Sequence, residues 1–284
     1  MSEGRATSQP FYFGKRERRL FGVYHPVLRP QVAQPDLPST GVILCNPFGQ
    51  EAVRAHRMLR VLADRLAQSG RAVLRFDPYA TGDSAGDDSE ADLDGWTDDL
   101  HEADLKLREL ARVNQTIWIG MRLGASVALR AAHQARQGLS RLILWDPVLD
   151  GARYLQFLRE RHVQSLVRTF SLVTKPSPPE LARDPGSYQD EAIGFSLSPR
   201  LRQQIASLDL EVCNLPACPE SIVAITDPDD PDGEHLATLR CDDTRLVIVQ
   251  LHHGTDWTTD TAENIALVPA GALKLLLQHA TATL

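Results

Sequence analysis

Cysteine is scarce. Cys45, Cys213, Cys218 and Cys241 are the only four in 284 residues. They read as reduced thiols, not as a disulfide framework. Positive charge is also short: 30 Lys and Arg stand against 37 Asp and Glu, a formal net charge of −7. That balance excludes a dedicated nucleic-acid face, which needs clustered Lys and Arg against phosphates. Long apolar runs are missing. The stretch 265–277 is the most apolar, but Pro269, Gly271 and Lys274 interrupt it. It falls well short of the roughly 20 apolar residues of a membrane span. The first ten residues lack the apolar core of a signal peptide, so the expected location is the cytoplasm. Cys213, Cys218 and Cys241 are too loosely spaced, among Pro216 and Pro219, to form a zinc site. No metal and no cofactor is expected.

What is present is a chain that can build a core, since 43% of its residues are hydrophobic. Apolar strand-like runs alternate with helical periodicity. Strands are expected at 11–13, 19–25, 41–45, 72–76, 116–119, 142–145, 221–226 and 245–251. Helices are expected at 51–68, 96–113, 125–137, 152–170, 198–208, 233–239 and within 262–279. The acidic stretch 83–99 reads as a solvated loop leading into a helix N-terminus, where carboxylates are favoured. The alternation predicts an α/β fold: a mostly parallel, doubly wound sheet of seven or eight strands covered on both faces. The pattern breaks over 150–218, which predicts a helical cap inserted into a core of 1–149 and 219–284.

In such sheets, ligands bind beyond the carboxyl ends of the strands. Those ends carry Cys45-Asn46, Asp77, Gly120–Leu123, Asp146, Asp227 and His252-His253. This order resembles the α/β-hydrolase fold, in which a Gly-x-Ser-x-Gly turn joins a buried strand to a helix, and the acid and His follow later. Gly82-Asp83-Ser84-Ala85-Gly86 matches that string literally. Its context is wrong, because Asp77-Pro-Tyr-Ala-Thr81 precedes it and Asp87-Asp-Ser-Glu90 follows. Gly120-Met-Arg-Leu-Gly124 has the right context, between the strand 116–119 and the helix that begins at Ala125. Arg122 stands where the nucleophile belongs, and a guanidinium cannot attack a carbonyl. It can bind an anion at a helix N-terminus, or it can form a salt bridge to an idle acid that shuts the site.

Asp227 sits where the acid of such a triad belongs, with Asp229, Asp230 and Asp232 as competitors. His252 and His253 sit where the base belongs. His253, beside Gly254, is expected to face the elbow and pair with Asp227. Phe48 and Leu123 are expected to present backbone N–H groups to an oxyanion, beside Asn46. Ser84 and Cys45 are the alternative nucleophiles.

The stretches Leu44-Cys-Asn-Pro-Phe-Gly-Gln-Glu51, Leu74-Arg-Phe-Asp77, Thr81-Gly-Asp-Ser-Ala-Gly86, Gly120-Met-Arg-Leu-Gly-Ala125 and Leu144-Trp-Asp-Pro-Val148 together resemble the exosortase-A-system-associated hydrolases. So do Ile193-Gly-Phe-Ser-Leu-Ser-Pro199 and Leu208-Asp-Leu210. These are serine-aminopeptidase-like α/β-hydrolase homologues found with bacterial exopolysaccharide and secondary-metabolite gene clusters. The resemblance spans roughly 10–270. It implies a bacterial protein labelled hydrolase, and it makes Arg at the elbow a family feature. The sequence Asp77-Pro-Tyr-Ala-Thr-Gly82 departs from the usual family form, which implies an altered pocket wall near Tyr79.

Two functions are therefore expected to compete. In the first, His253 and Asp227 act as a general base on an acyl, ester-type or carboxylate-bearing small molecule, with Arg122 binding its charge. In the second, the chain is an inactive pseudo-hydrolase that binds an anionic ligand or serves as a scaffold. A homodimer is left open.

Overall fold

The structure is a computed structural model. It describes residues 8–28, 40–135, 137–173, 189–209, 215–230, 243–253 and 268–282, together with 232, 233, 236, 237, 257 and 258. Eight strands form one sheet: β1 (Gln9–Lys15), β2 (Arg18–His25), β3 (Thr40–Cys45), β4 (Ala72–Asp77), β5 (Gln115–Met121), β6 (Leu139–Trp145), β9 (Ser221–Thr226) and β10 (Leu246–Gln250). The spatial order is β1-β2-β4-β3-β5-β6-β9-β10. The β1–β2 and β2–β4 pairings are antiparallel, and every other pairing is parallel. The expected α/β-hydrolase fold is thus the observed one.

The central strands are buried along their whole length because helices cover both faces. Helices α1 (Gly49–Gln68) and α6 (Ala270–Thr281) cover one face, where Met58, Leu62, Leu66 and Leu276 meet Val42, Ile117 and Ile143. Helices α2 (Leu93–Ala111) and α3 (Leu123–Ala132) cover the other, where Leu100, Leu107 and Leu129 meet Ile43, Leu74 and Trp118. The last helix, expected within 262–279, runs over Ala270–Thr281 with Pro269 at its N-cap.

After β6 the chain enters α4 (Gly151–Val173), the two-residue strands β7 (Glu191–Ala192) and β8 (Phe195–Ser196), and α5 (Pro199–Ala206). The short β7–β8 hairpin carries no periodicity and was not expected. Tyr154, Leu158, Leu197, Leu201 and Ile205 from this segment pack with Phe48, Trp96, Leu123 and Val127. The segment therefore lies against the strand-to-helix turn at Arg122. The proline-rich piece at 175–179, Cys213, Cys241, Gly254 and most of the helix expected at 233–239 lie outside the described residues.

Candidate functional site

The turn between β5 and α3 is built by its glycines. A Cβ on Gly120 would stand 2.5 Å from the Cα of Ala125, and one on Gly124 would run into the carbonyl oxygen of Asn46. Only Gly lets α3 approach the sheet and the β3 end this closely. Arg122 caps α3 with φ 52° and ψ −126°, a left-handed backbone that non-glycine residues rarely adopt. Its N–H donates to Trp145 O at 2.9 Å.

The Arg122 side chain does not point into open space. Its Nε donates to Glu51 Oε1 at 3.0 Å, and an Nη donates to Asp146 O at 3.3 Å. The Asp230 carboxylate lies 3.6 Å from the same Nη. Glu51 is buried in the first turn of α1, and its other oxygen accepts the Tyr154 hydroxyl at 2.7 Å. The Tyr154 ring lies 5.7 Å below the guanidinium carbon. Burial works against the Arg122 charge, but Glu51, Tyr154 and Asp146 outweigh it and hold the pKa above its ordinary value. The expected carboxylate partner was Asp227 or a neighbour. Glu51 takes that place because it projects from α1 directly onto the elbow, and Asp230 approaches only as the more distant second acid.

His253 follows β10 and is mostly buried. Its Nε2 hydrogen-bonds Asp146 Oδ2 at 2.7 Å, while its Nδ1 stands 3.9 Å from Asp227 Oδ2. Asp227 instead accepts the His253 backbone N–H at 3.1 Å, and its own N–H donates to Asp146 Oδ1 at 3.1 Å. The acid held closest to the ring is therefore Asp146, not the expected Asp227. Asp146 reaches this position because its backbone takes a positive φ of 44° just after β6. Burial opposes the His253 imidazolium, yet the hydrogen bond and charge of Asp146 raise its pKa above the usual value.

His252 is exposed, with Nδ1 3.7 Å from Asp227 and 3.8 Å from Asp229. These three residues bring one ligand atom each within 4.8 Å of one another, at the surface. Asp232 is turned elsewhere, accepting from the Arg153 guanidinium and from Leu149 N.

Neither alternative nucleophile is poised to react. Ser84 lies in the loop between β4 and α2. Its hydroxyl donates to Asp77 O and accepts the Phe21 N–H at 2.8 Å. Cys45 is buried at the end of β3, and burial pushes its thiol pKa far up, which suppresses the reactive thiolate.

Beside the elbow lies a cavity of about 740 Å³. Asn46, Phe48, Cys45, Ser84 and Leu123 line it; Arg122, His253, Asp146 and Asp227 do not. The Phe48 ring packs against Trp96 and Phe195, with centroids at 5.9 and 6.3 Å. The Asn46 amide is committed to Phe76 O and Asp77 Oδ1, at 3.0 and 3.1 Å. Near Tyr79, where an altered wall was expected, Pro78 and Ala80 line the cavity, while the Tyr79 ring lies under Arg18 and its hydroxyl donates to Glu90.

Residues 37–206, more than half of the chain, match the family described as "Serine aminopeptidase, S33". The chain belongs to that family of α/β hydrolases. Solved structures with the same fold include Est1E from Butyrivibrio proteoclasticus with ferulic acid bound, at 16% identity and a TM-score of 0.60, covering 96% of this chain and 100% of that one. A soluble variant of the monoglyceride lipase of Saccharomyces cerevisiae aligns at 16% identity and a TM-score of 0.59, covering 99% of each chain. The lidless serine hydrolase XC6422 of Xanthomonas campestris aligns at 18% identity and a TM-score of 0.55, covering 99% of this chain and 98% of that one. No curated protein matches the sequence. Among the described residues, no helix is long and apolar enough to cross a membrane.

Proposed function

We propose that this hydrolase-family chain is a pseudo-hydrolase that binds a small molecule in its cavity and forms no acyl-enzyme. The arrangement of Arg122 carries this reading. The residue at the nucleophile position is a guanidinium held by Glu51 and by the Asp146 carbonyl, outside the cavity lining. The group that would serve as base is held as well, because His253 Nε2 is bonded to Asp146. Facing a carboxylate, Nε2 carries the proton and cannot take one from water or substrate, as a general base must. In this reading the first of the two expected functions lacks a free base, and its anion-binding Arg122 is already paired.

What favours binding is the cavity itself. Its size falls within the usual range for small-molecule sites. In this reading 1–149 and 219–284 form the core, and 150–218 is a cap whose Phe195 closes one wall of the cavity.

A panel of p-nitrophenyl esters and acyl thioesters tests the proposal. The expected result is no turnover above the buffer rate, with some panel members raising the thermal midpoint. Turnover that disappears in His253→Gln would overturn it.

A further inference from the structure

The cavity has a cationic residue that the elbow does not use. Arg75 is the one charged residue in the otherwise apolar run 72–76 of β4. It is 8% exposed and lines the cavity. Its Nε donates to His25 Nε2 at 3.2 Å, and His25 Nδ1 in turn bonds Asp64 Oδ1 at 3.0 Å. This relay fixes the plane of the guanidinium. It leaves both Nη groups with no hydrogen bond, and no carboxylate lies within 4.0 Å of Arg75 among the described residues.

The nearest acid in the cavity wall is already committed. Asp77 accepts the Asn46 amide on one oxygen and the Asp83 N–H on the other, each at 3.1 Å. His56 of α1 lines the same end of the cavity. Burial and the Arg75 charge depress its pKa against the opposing pull of Asp77, so the imidazole stands beside Arg75 as a neutral hydrogen-bonding group. Burial likewise lowers the Arg75 pKa, against the opposing pull of Asp77 and Asp64.

A buried guanidinium is costly unless an anion meets it, and among the described residues Asp77 and Asp64 act on Arg75 only from a distance, with no carboxylate in contact. From this, we infer that Arg75, with His56 beside it, is the carboxylate-binding anchor of the cavity, and that its ligand is an organic acid with an apolar body. The planar guanidinium carries two further Nη donors, which suit a bidentate carboxylate. With Nε taken by His25, the end-on mode is the one left open. From that anchor the cavity runs to Phe48, Trp96, Leu123, Val127 and Phe195, which suit an aliphatic or aromatic body. The anion site expected at Arg122 is thus reassigned to Arg75. This assignment rests on the binding function proposed for the cavity.

Calorimetric titration of decanoate and of decanol tests it, because the two share a body and differ in the head group. The parent protein should bind decanoate at least about tenfold more tightly than decanol. Arg75→Gln should remove that preference and leave decanol affinity unchanged, and Arg75→Lys should keep part of it. His56→Gln, at a more exposed position, should weaken decanoate alone, which keeps the test decisive if Arg75→Gln fails to fold. Equal binding of acid and alcohol by the parent would overturn the anchor while leaving the binding function standing. Binding of neither compound would overturn both. A preference that survives in folded Arg75→Gln would place the carboxylate elsewhere. Ester turnover would sink the pseudo-hydrolase reading without touching this one.

Discussion

Two arginines, Arg122 at the turn between β5 and α3 and Arg75 within β4, have opposite surroundings. Arg122 is enclosed: Glu51, the Asp146 carbonyl and Asp230 surround its guanidinium, and Tyr154 lies beneath it. Arg75 is held at Nε by His25 alone and faces a cavity. A charge that is neutralised inside the protein stabilises the fold and has little left to offer a ligand. A charge that is oriented but not neutralised is available for binding. In this chain an ion pair occupies the β5–α3 turn, while the cavity-lining Arg75 sits on β4, with β3 between the two strands.

The sharpest way to break this contrast is to remove the acid that encloses Arg122. Glu51→Ala strands a buried guanidinium and should cost about 3–5 kcal/mol of folding stability, read from urea unfolding. The Asp230 carboxylate at 3.6 Å limits the loss. A cost below about 1 kcal/mol, the level of a surface pair, would mean that Arg122 is effectively solvated and that the two residues are alike after all.

The next effect is on pH. The folded pKa of His253 is raised, so its pairing with Asp146 stabilises the fold fully below the ordinary histidine value of about 6.5. That contribution is lost as pH rises through the folded pKa. The stability gap between the parent and Asp146→Asn should therefore be wider at acid pH than at alkaline pH. A gap independent of pH would show that Asp146 acts on His253 only through geometry.

The smallest effect concerns the lipase-like string. Ser84→Ala removes one hydrogen bond to Asp77 O and one from Phe21 N. It should cost about 1–2 kcal/mol and leave ligand binding in the cavity intact. Loss of binding without loss of stability would show that the Ser84 hydroxyl contacts the ligand as well as lining the cavity.

Much of the fold is legible in the sequence because its signals are local. Apolar runs such as Val42–Leu44 and Ile117–Ile119 declare buried strands, and the glycines at 120 and 124 declare the tight turn. The site is less legible because its partners are distant in the chain. Glu51 meets Arg122 across 71 positions and Tyr154 across 103, and no periodicity links them. Asp146 is visible as a strand end, yet only its positive φ aims it at His253. Arg75 left a usable trace: a charge inside an apolar strand is costly to bury and signals a ligand or partner. The literal Gly-Asp-Ser-Ala-Gly string misleads because it reports composition without strand and helix on either side.

The central claim is that the elbow is a closed structural cluster whose base is committed to Asp146. Arg122→Ser tests it most directly, since it rebuilds a literal Gly-x-Ser-x-Gly turn. The measurement is intact mass after treatment with a fluorophosphonate, on the parent and on folded Arg122→Ser side by side. The expected result is no stoichiometric adduct on either protein, because His253 Nε2 remains bonded to Asp146 and cannot activate the new serine. An adduct on the parent, or a rapid one on Arg122→Ser, would show that a working hydrolase site is present and would contradict the account.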